Sequence, residues 1–549
     1  LVLPATLRHM VRARLARLTP DQRTLVDLAA VQGYQFDAYL LSEVLDRPPI
    51  AVLRELAEIE RRSGVIRTSG RVHRFDHLLL QEVVYEELAP ELRAESHDRL
   101  ARAREHRDDA VGRSPDAMPA ETGIFLAHHH LRGPDARAAL PYLQPALDQL
   151  ASAFREEDAL TLTERALHAD GLLIGEERAR FLLHRAERLN LLGKEEEVEA
   201  LEEASRLAKD VGVPRLRAQA ALRLGQARLG RRRADAAEAS LREAEAAAEE
   251  LGDDELRAAA LEALGGVAFQ TGRHREALER YQASLDLALS VRDGVQELRT
   301  RSQLGLVLKA LGRLDDAVGQ HERCITLARE QGDLRAEGKA TGNLGVVLYR
   351  LGRLEDARAC QQRRLKIAQE VGDLSGEALA CGNLGNISMD SGDLEEARRW
   401  HERDLQIMRE VGDVRGERLA SANLVSTWLR MGRPDHARSV IEDQLGRCRA
   451  SGNQQGVLHG TARLASIART EGRYEEAEKL LLQVLEMSRA TGDRAIEGEH
   501  RAAHALLLSE LGEISRAVEM AREAVEALRT LEAPRALAAA LKYQGLVAW

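Results

Sequence analysis

Three asparagines, Asn343, Asn383 and Asn423, recur at intervals of 40 residues, and Gln303 continues the row one interval earlier. A side-chain amide carries both donors and an acceptor. Amides repeated at one register therefore suit the backbone of an extended peptide and demand no particular side chain from it. Asn386 stands beside this row, and Lys339, Tyr349, Arg350 and Arg430 flank it with groups suited to an acidic segment. The alternative is that the same amides bond between neighbouring helices and hold no ligand.

No catalytic constellation accompanies them. The phosphate-binding phrase GxxxxGK[ST] is absent, and Gly338-Lys339-Ala340 lacks both the earlier Gly and the hydroxyl that would hold Mg²⁺. GxSxG and HExxH are absent as well. His128, His129 and His130 invite a metal, but successive helix residues point about 100° apart, whereas a helical ligand pair needs i, i+4 spacing. The four cysteines, Cys324, Cys360, Cys381 and Cys448, form no CxxC pair, and Cys360 and Cys381 read as small packing residues. The expectation is a non-enzymatic chain with no metal and no cofactor of its own.

The elements that would position the amides are set by two interlocking landmarks. Gly312, Gly352, Gly392, Gly432, Gly472 and Gly512 recur every 40 residues, each followed five positions later by Ala. Gly252-Asp253, Gly332-Asp333, Gly372-Asp373, Gly412-Asp413, Gly452-Asn453 and Gly492-Asp493 fall on the same period. Each Gly can close a helix in the left-handed conformation, and each following Asp or Asn can cap the next helix. A unit is thus helix A, a Gly-Arg turn, helix B and a Gly-Asp turn, and such units bury their apolar faces by stacking. Gly193, Arg231 and Gly272 extend the register backward. Leu224-Gly225, Leu264-Gly265, Leu304-Gly305, Leu344-Gly345 and Leu384-Gly385 in helix A face the recurrent alanines of helix B, which permits close approach. Glu297, Glu337, Glu377, Glu417 and Glu497 read as first-turn residues favoured by the helix dipole.

Upstream the period changes. Helical segments broken at Thr19-Pro20, Gly33 and Pro48-Pro49 lead to a hairpin in which Gly64 to Arg67 and Val72 to Phe75 flank Thr68-Ser69-Gly70-Arg71, and another helix follows. This is a winged-helix plan. The divisions expected are 1–106 for that domain, a polar linker at 107–120, irregular helices at 121–176, and 177–549 for about nine units plus a final helix.

The chain has 549 residues, 31% of them charged, with net charge −10 and only 3% aromatic residues, which disfavours general nucleic-acid binding and base-stacking platforms. No apolar run approaches the roughly 18 to 20 residues needed to cross a bilayer. A cytoplasmic setting is expected, and the start at Leu1 and the end inside a helical pattern at Trp549 suggest a piece of a longer polypeptide.

The Leu-Gly and Ala positions resemble tetratricopeptide repeats over roughly residues 177–549, in a 40-residue form similar to that of kinesin light chain and the Leu-Gly-Asn spindle adaptors. The resemblance implies an all-α, right-handed superhelix of helical hairpins, with helix A lining a concave groove where asparagines hold a ligand peptide. Leu3-Pro4-Ala5-Thr6-Leu7, Val11 to Leu15, and Arg74-Phe75-Asp76-His77 with Glu82 and Tyr85 resemble the winged helix that follows the ATPase core in bacterial signal-transduction NTPases of the STAND type. That resemblance implies a nucleotide-sensing role for His77, although Leu78 stands where the family has Asp. A His that simply starts a helix is the competing reading.

Together these resemblances imply the sensor and scaffold region of a larger bacterial signalling protein, with a Ser/Thr kinase, cyclase or regulator as output. A protein or peptide would occupy the groove, ATP or ADP would enter through an upstream domain, and activation could bring oligomerisation. The rivals are a free-standing adaptor and a DNA-binding regulator. The stretch Ile50 to Arg62 mixes Arg54, Arg61 and Arg62 with Glu55, Glu58 and Glu60, which favours a protein-facing role over DNA.

Overall fold

The computed structural model describes residues 11–70, 72–110, 118–531 and 533–548. Leu3 to Leu7, Arg71, residues 111–117 of the 107–120 stretch and Trp549 lie outside them. Two compact units, Leu1–Arg273 and His274–Trp549, divide the chain.

In the first unit, α1 (Pro20–Gln32) starts on a capping box. Thr19 accepts from the Gln22 amide, and the Gln22 side chain accepts from the Thr19 amide. Helices α2 (Ala38–Val44) and α3 (Pro49–Ser63) follow, then strands β2 (Ile66–Ser69) and β3 (Val72–Phe75), and helices α4 (Leu78–Glu87) and α5 (Pro90–Arg107). The expected hairpin pairs Ile66 with Phe75 and Ser69 with Val72. A third strand, β1 (Gln35–Phe36), lies on the other side of β3, so the sheet order is β1-β3-β2. Two residues carry no alternation, so nothing in the sequence marks β1 as a strand. Leu25, Leu40, Leu56, Ile59, Ile66, Phe75 and Leu100 fill the core between helices and sheet.

Side chains from the two sides of the polar break at 107–120 pack together. Ala101 before it and Ala110 within it share one apolar cluster with Leu126 and Ala127 after it, and Arg104 and Asp108 both bond the Thr122 hydroxyl. Beyond it run α6 (Ala120–His130), α7 (Leu140–Ser152) and α8 (Glu156–His168). Two helical hairpins from Gly175 to Leu251 and the helix Asp254–Gln270 complete the unit.

The second unit opens with the helix His274–Ser290 and continues as six hairpins, from Gly294–Ala310 with Leu314–Gln331 to Arg494–Glu510 with Ile514–Arg529, before Pro534–Val547. Its period follows from its components. In one hairpin Leu334–Arg350 has 17 residues and Leu354–Val371 has 18, and the two turns supply the rest. Asp333, Asp373, Asp413, Asn453 and Asp493 each accept an amide of the helix they precede. The alanines from Ala277 to Ala517 are fully buried.

Two turns depart from the glycine rule. Arg292 occupies the left-handed position with φ 59°, and Asp293 still caps the following helix. In the first unit the left-handed residue is Arg232, also at φ 59°, one place beyond Arg231, so the step to Gly272 is a full 40 residues.

The repeated helix-A glutamates do more than meet a dipole. Glu337, almost fully buried, accepts from Arg329 in the preceding helix and Arg363 in its hairpin partner, both at about 3.1 Å. Glu377 pairs with Arg403 at 2.8 Å, and Glu497 with Arg489 and Arg501. All of these pairs join two helices except Glu497–Arg501, which lies within one.

Candidate functional site

The row of amides sits on helices that touch in series, Leu334–Arg350 on Leu374–Asp390 and the latter on Val414–Arg430. Gln303, Asn343, Asn383, Asn386 and Asn423 are all half-buried. No hydrogen bond within the chain, among the described residues, engages any of these five side chains. A half-buried amide with no partner in the packed helices keeps its donors and acceptor for a group outside the chain.

Glycine explains how the rungs come so close to the rest of the unit. A Cβ at Gly345 would lie 2.5 Å from Nε2 of Gln361, and one at Gly305 or Gly385 would fall on the ring of His321 or His401. These three fully buried polar side chains occupy one helix-B register, behind the amides. Gln361 donates to the Gly342 carbonyl at 2.9 Å, and His401 Nδ1 lies 2.8 Å from the Thr427 hydroxyl of the next helix A. Burial pushes His321 and His401 down to about 4, so both imidazoles are neutral at physiological pH.

The flanking residues divide. Lys339 is exposed and its side chain has no partner among the described residues. Arg350 donates to the Lys309 carbonyl at 3.4 Å. Tyr349 and Arg430 both turn to Asp390, the tyrosine donating its hydroxyl and the guanidinium pairing at 3.2 Å. The hydrogen bond from Tyr349 to Asp390, with burial, pushes the phenol up to about 12. These two side chains therefore brace successive helices as they stand, an engagement that spans 40 and 41 residues and leaves no local signal in the sequence.

Two features of this face were not singled out from sequence. Leu379 and Leu419, 58% and 53% exposed, share the helix register of Lys339, one turn before each asparagine. Arg463 continues the amide row one full interval beyond Asn423, and among the described residues its side chain makes no ion pair or hydrogen bond. Burial first, then the nearby Arg418, holds its guanidinium below its ordinary value. Its register was legible, but a search confined to amides passes over it.

His77 caps α4, its Nδ1 accepting from the Leu79 amide at 3.2 Å, and is exposed. Of the three consecutive histidines, His128 and His129 both lie beside His97, His130 meets Glu105, and no cluster of metal-binding side chains occurs among the described residues. The four cysteines are free, and burial pushes the Cys324 and Cys381 thiols up to about 12. No helix among the described residues is long and apolar enough to cross a membrane.

Residues 296–370 and 457–530 match the family model of the tetratricopeptide repeat, and residues 380–415 match a second model of the same repeat. These segments are tetratricopeptide repeats. The matched segments carry Gln303, Asn343, Asn383 and Arg463, so the amide row belongs to a tetratricopeptide-repeat protein-interaction scaffold. No curated protein sequence matches the chain. Among solved structures, a signal transduction ATPase with numerous domains and a tetratricopeptide repeat sensor from Pyrococcus horikoshii is 15% identical over 87% of this chain, with TM-score 0.45. This chain spans 65% of that protein. The quorum sensor NprR from B. thuringiensis, in its apo form, is 17% identical over 63% of this chain and 97% of its own, with TM-score 0.46. Kinesin light chain TPR-like repeats from Podospora anserina are 16% identical over 36% of this chain and 96% of theirs, with TM-score 0.33. The likeness is one of fold.

Proposed function

We propose that the helix-A face from Gln303 to Arg463 binds an extended peptide or protein segment through its backbone. The observation that carries this reading is the set of unpartnered amides on Asn343, Asn383 and Asn423, at one register on three touching helices. Leu379 and Leu419 offer an apolar strip beside them, and Arg463 offers a half-buried charge with no carboxylate of its own. The ligand this combination favours is an extended segment with apolar side chains and a carboxylate toward the Arg463 end. Selection of peptides from a displayed random library tests it. The selected peptides should lose binding to Arg463→Ala in proportion to their acidic residues.

The wider role that fits this region is the sensing region of a larger cytoplasmic signalling protein. The helices and three-stranded sheet before the repeats, and the Arg74-Phe75-Asp76-His77 phrase, support an upstream nucleotide switch, with His77 Nε2 as the group left for a phosphate after Nδ1 is spent on the cap. A partner that binds the open form better than the closed one would release that switch. Partner affinity measured with ATP and with ADP on the intact protein decides it: a difference supports the switch, and equal affinity leaves a constitutive adaptor. On the α3 surface Arg62 is paired with Glu58 at 2.8 Å and Arg47 with Glu55 at 2.5 Å, which supports a protein-facing role there.

A further inference from the structure

The first unit holds two arginines without paired carboxylates at a place the peptide-binding face does not use. Elsewhere in that unit, shielded arginines sit against carboxylates, as Arg188 does on Glu156 at 2.6 Å. Arg132 and Arg165 do not: among the described residues neither side chain makes an ion pair or hydrogen bond, and each is half-buried. Arg132 lies 5.8 Å over the Tyr85 ring, which it shares with Arg93 at 5.4 Å.

Three histidines crowd the same space. The Tyr85 hydroxyl lies 2.9 Å from His97 Nε2, and His97 Nδ1 lies 2.9 Å from Nδ1 of the buried His129. His128 has its ring 6.2 Å from that of His97. Burial, then Arg132 and Arg165, pushes His97 down to about 3 and His128 well below its ordinary value. Burial and Arg165 bring even Arg132 down to about 10.

Like charges gathered in a shielded place oppose folding unless an anion offsets them. The C-terminal end of α6, which ends at His130, offsets only about half a charge. The surroundings supply little more. Two cavities here share Gln32 and His128 in their walls, one of about 420 Å³ also lined by Tyr85 and Arg132, the other of about 530 Å³ also lined by Phe125, His129 and Arg165. Glu82 and Glu86 line the first, and Glu121 and Asp158 the second, yet none pairs with Arg132 or Arg165, and Asp158 is taken by Arg155 at 2.8 Å.

We infer that the two cavities form one anion site, in which Arg132, Arg165 and His128 bind a phosphomonoester or a comparable dianion. Two guanidiniums suit the several acceptor oxygens of such a group, and His128, lining both cavities, stands between them. Ile124, Phe125, Leu150 and Leu162 form an apolar wall for the organic portion of a ligand. The site lies within the first unit and does not depend on the peptide-binding reading.

Titration calorimetry and thermal unfolding of the full chain, at constant ionic strength, test it with inorganic phosphate and phenyl phosphate as probes. Phosphate should bind and raise Tm where chloride does not. Tighter binding of phenyl phosphate assigns the apolar wall to the ligand's body, and equal binding restricts recognition to the phosphate. Arg165→Gln should weaken phosphate at least about tenfold. It should also raise Tm in the absence of phosphate, because a repulsion is removed, whereas a merely structural arginine would lower it. Arg132→Gln is the second variant, since Arg132 also packs on Tyr85. No binding of either probe by the wild type up to about 10 mM, or equal phosphate affinity in wild type and both variants, overturns the inference.

Discussion

Asp404 is buried in helix B behind the amide row, 8% exposed, and its Oδ2 would lie 2.8 Å from a Cβ placed on Gly382. Among the described residues no arginine or lysine pairs with it, and burial raises its carboxyl from 3.8 to about 7. The folded state therefore binds more protons than the unfolded chain between those two values. Stability contributed by the neutral acid is complete below pH 3.8, falls as pH rises, and is lost above about 7. At about 1.4 kcal/mol for each pH unit, the interval bounds the cost of ionised Asp404 at roughly 4 kcal/mol. Asp404→Asn keeps the shape and removes the charge. Since the new amide must itself find partners, the expected gain at pH 8 is about 2 kcal/mol. Urea unfolding of both proteins at pH 5 and pH 8 measures it. The variant should gain more at pH 8 than at pH 5. An equal effect at both, or a loss at pH 8, would show that Asp404 stays ionised and stabilised when folded, and would refute the reasoning.

Glu337→Gln should cost about 2 kcal/mol in urea unfolding at pH 7, because the buried carboxylate holds Arg329 and Arg363. Burial alone would raise the Glu337 carboxyl, but the two arginines outweigh it and hold it below 4.5, so the penalty should shrink as pH falls below that value. Arg292→Gly relieves a left-handed non-glycine residue and should raise stability by up to about 1 kcal/mol, with Tm as the readout. Gly385→Ala drives a methyl into the His401 ring and should cost about 1 to 3 kcal/mol, less if His401→Ala is added to make room.

The turns, caps and packing positions of the repeats were legible in the sequence because each recurs at one fixed period, and a period needs no knowledge of distant contacts. Glycine at 352 or aspartate at 373 has a single job that its own residue type announces. What stayed hidden depends on partners far along the chain. Asp390, which holds Tyr349 and Arg430, is one acidic residue among 89 until the helices are stacked. The buried row of His321, Gln361 and His401 shares its register with Tyr281 and Ile441, so residue type alone does not mark it as facing the glycines. The strand β1 and the Tyr85, His97 and His129 contacts likewise arise from segments with no common period. The amide row was legible as a pattern. Whether its members were already satisfied was not, because hydrogen-bond partners are a property of the packed helices.

The most direct test of the peptide-binding account compares wild type with the combined variant Asn343→Ala, Asn383→Ala and Asn423→Ala, using peptides selected on the wild type from a displayed library. If the amides hold a ligand backbone, three lost amides at about 1 kcal/mol each should weaken those peptides a hundredfold or more. Helix content and Tm should stay close to wild type, since no hydrogen bond within the chain is lost. Undiminished peptide binding by the variant, or a loss of folding as large as the loss of binding, would contradict the account.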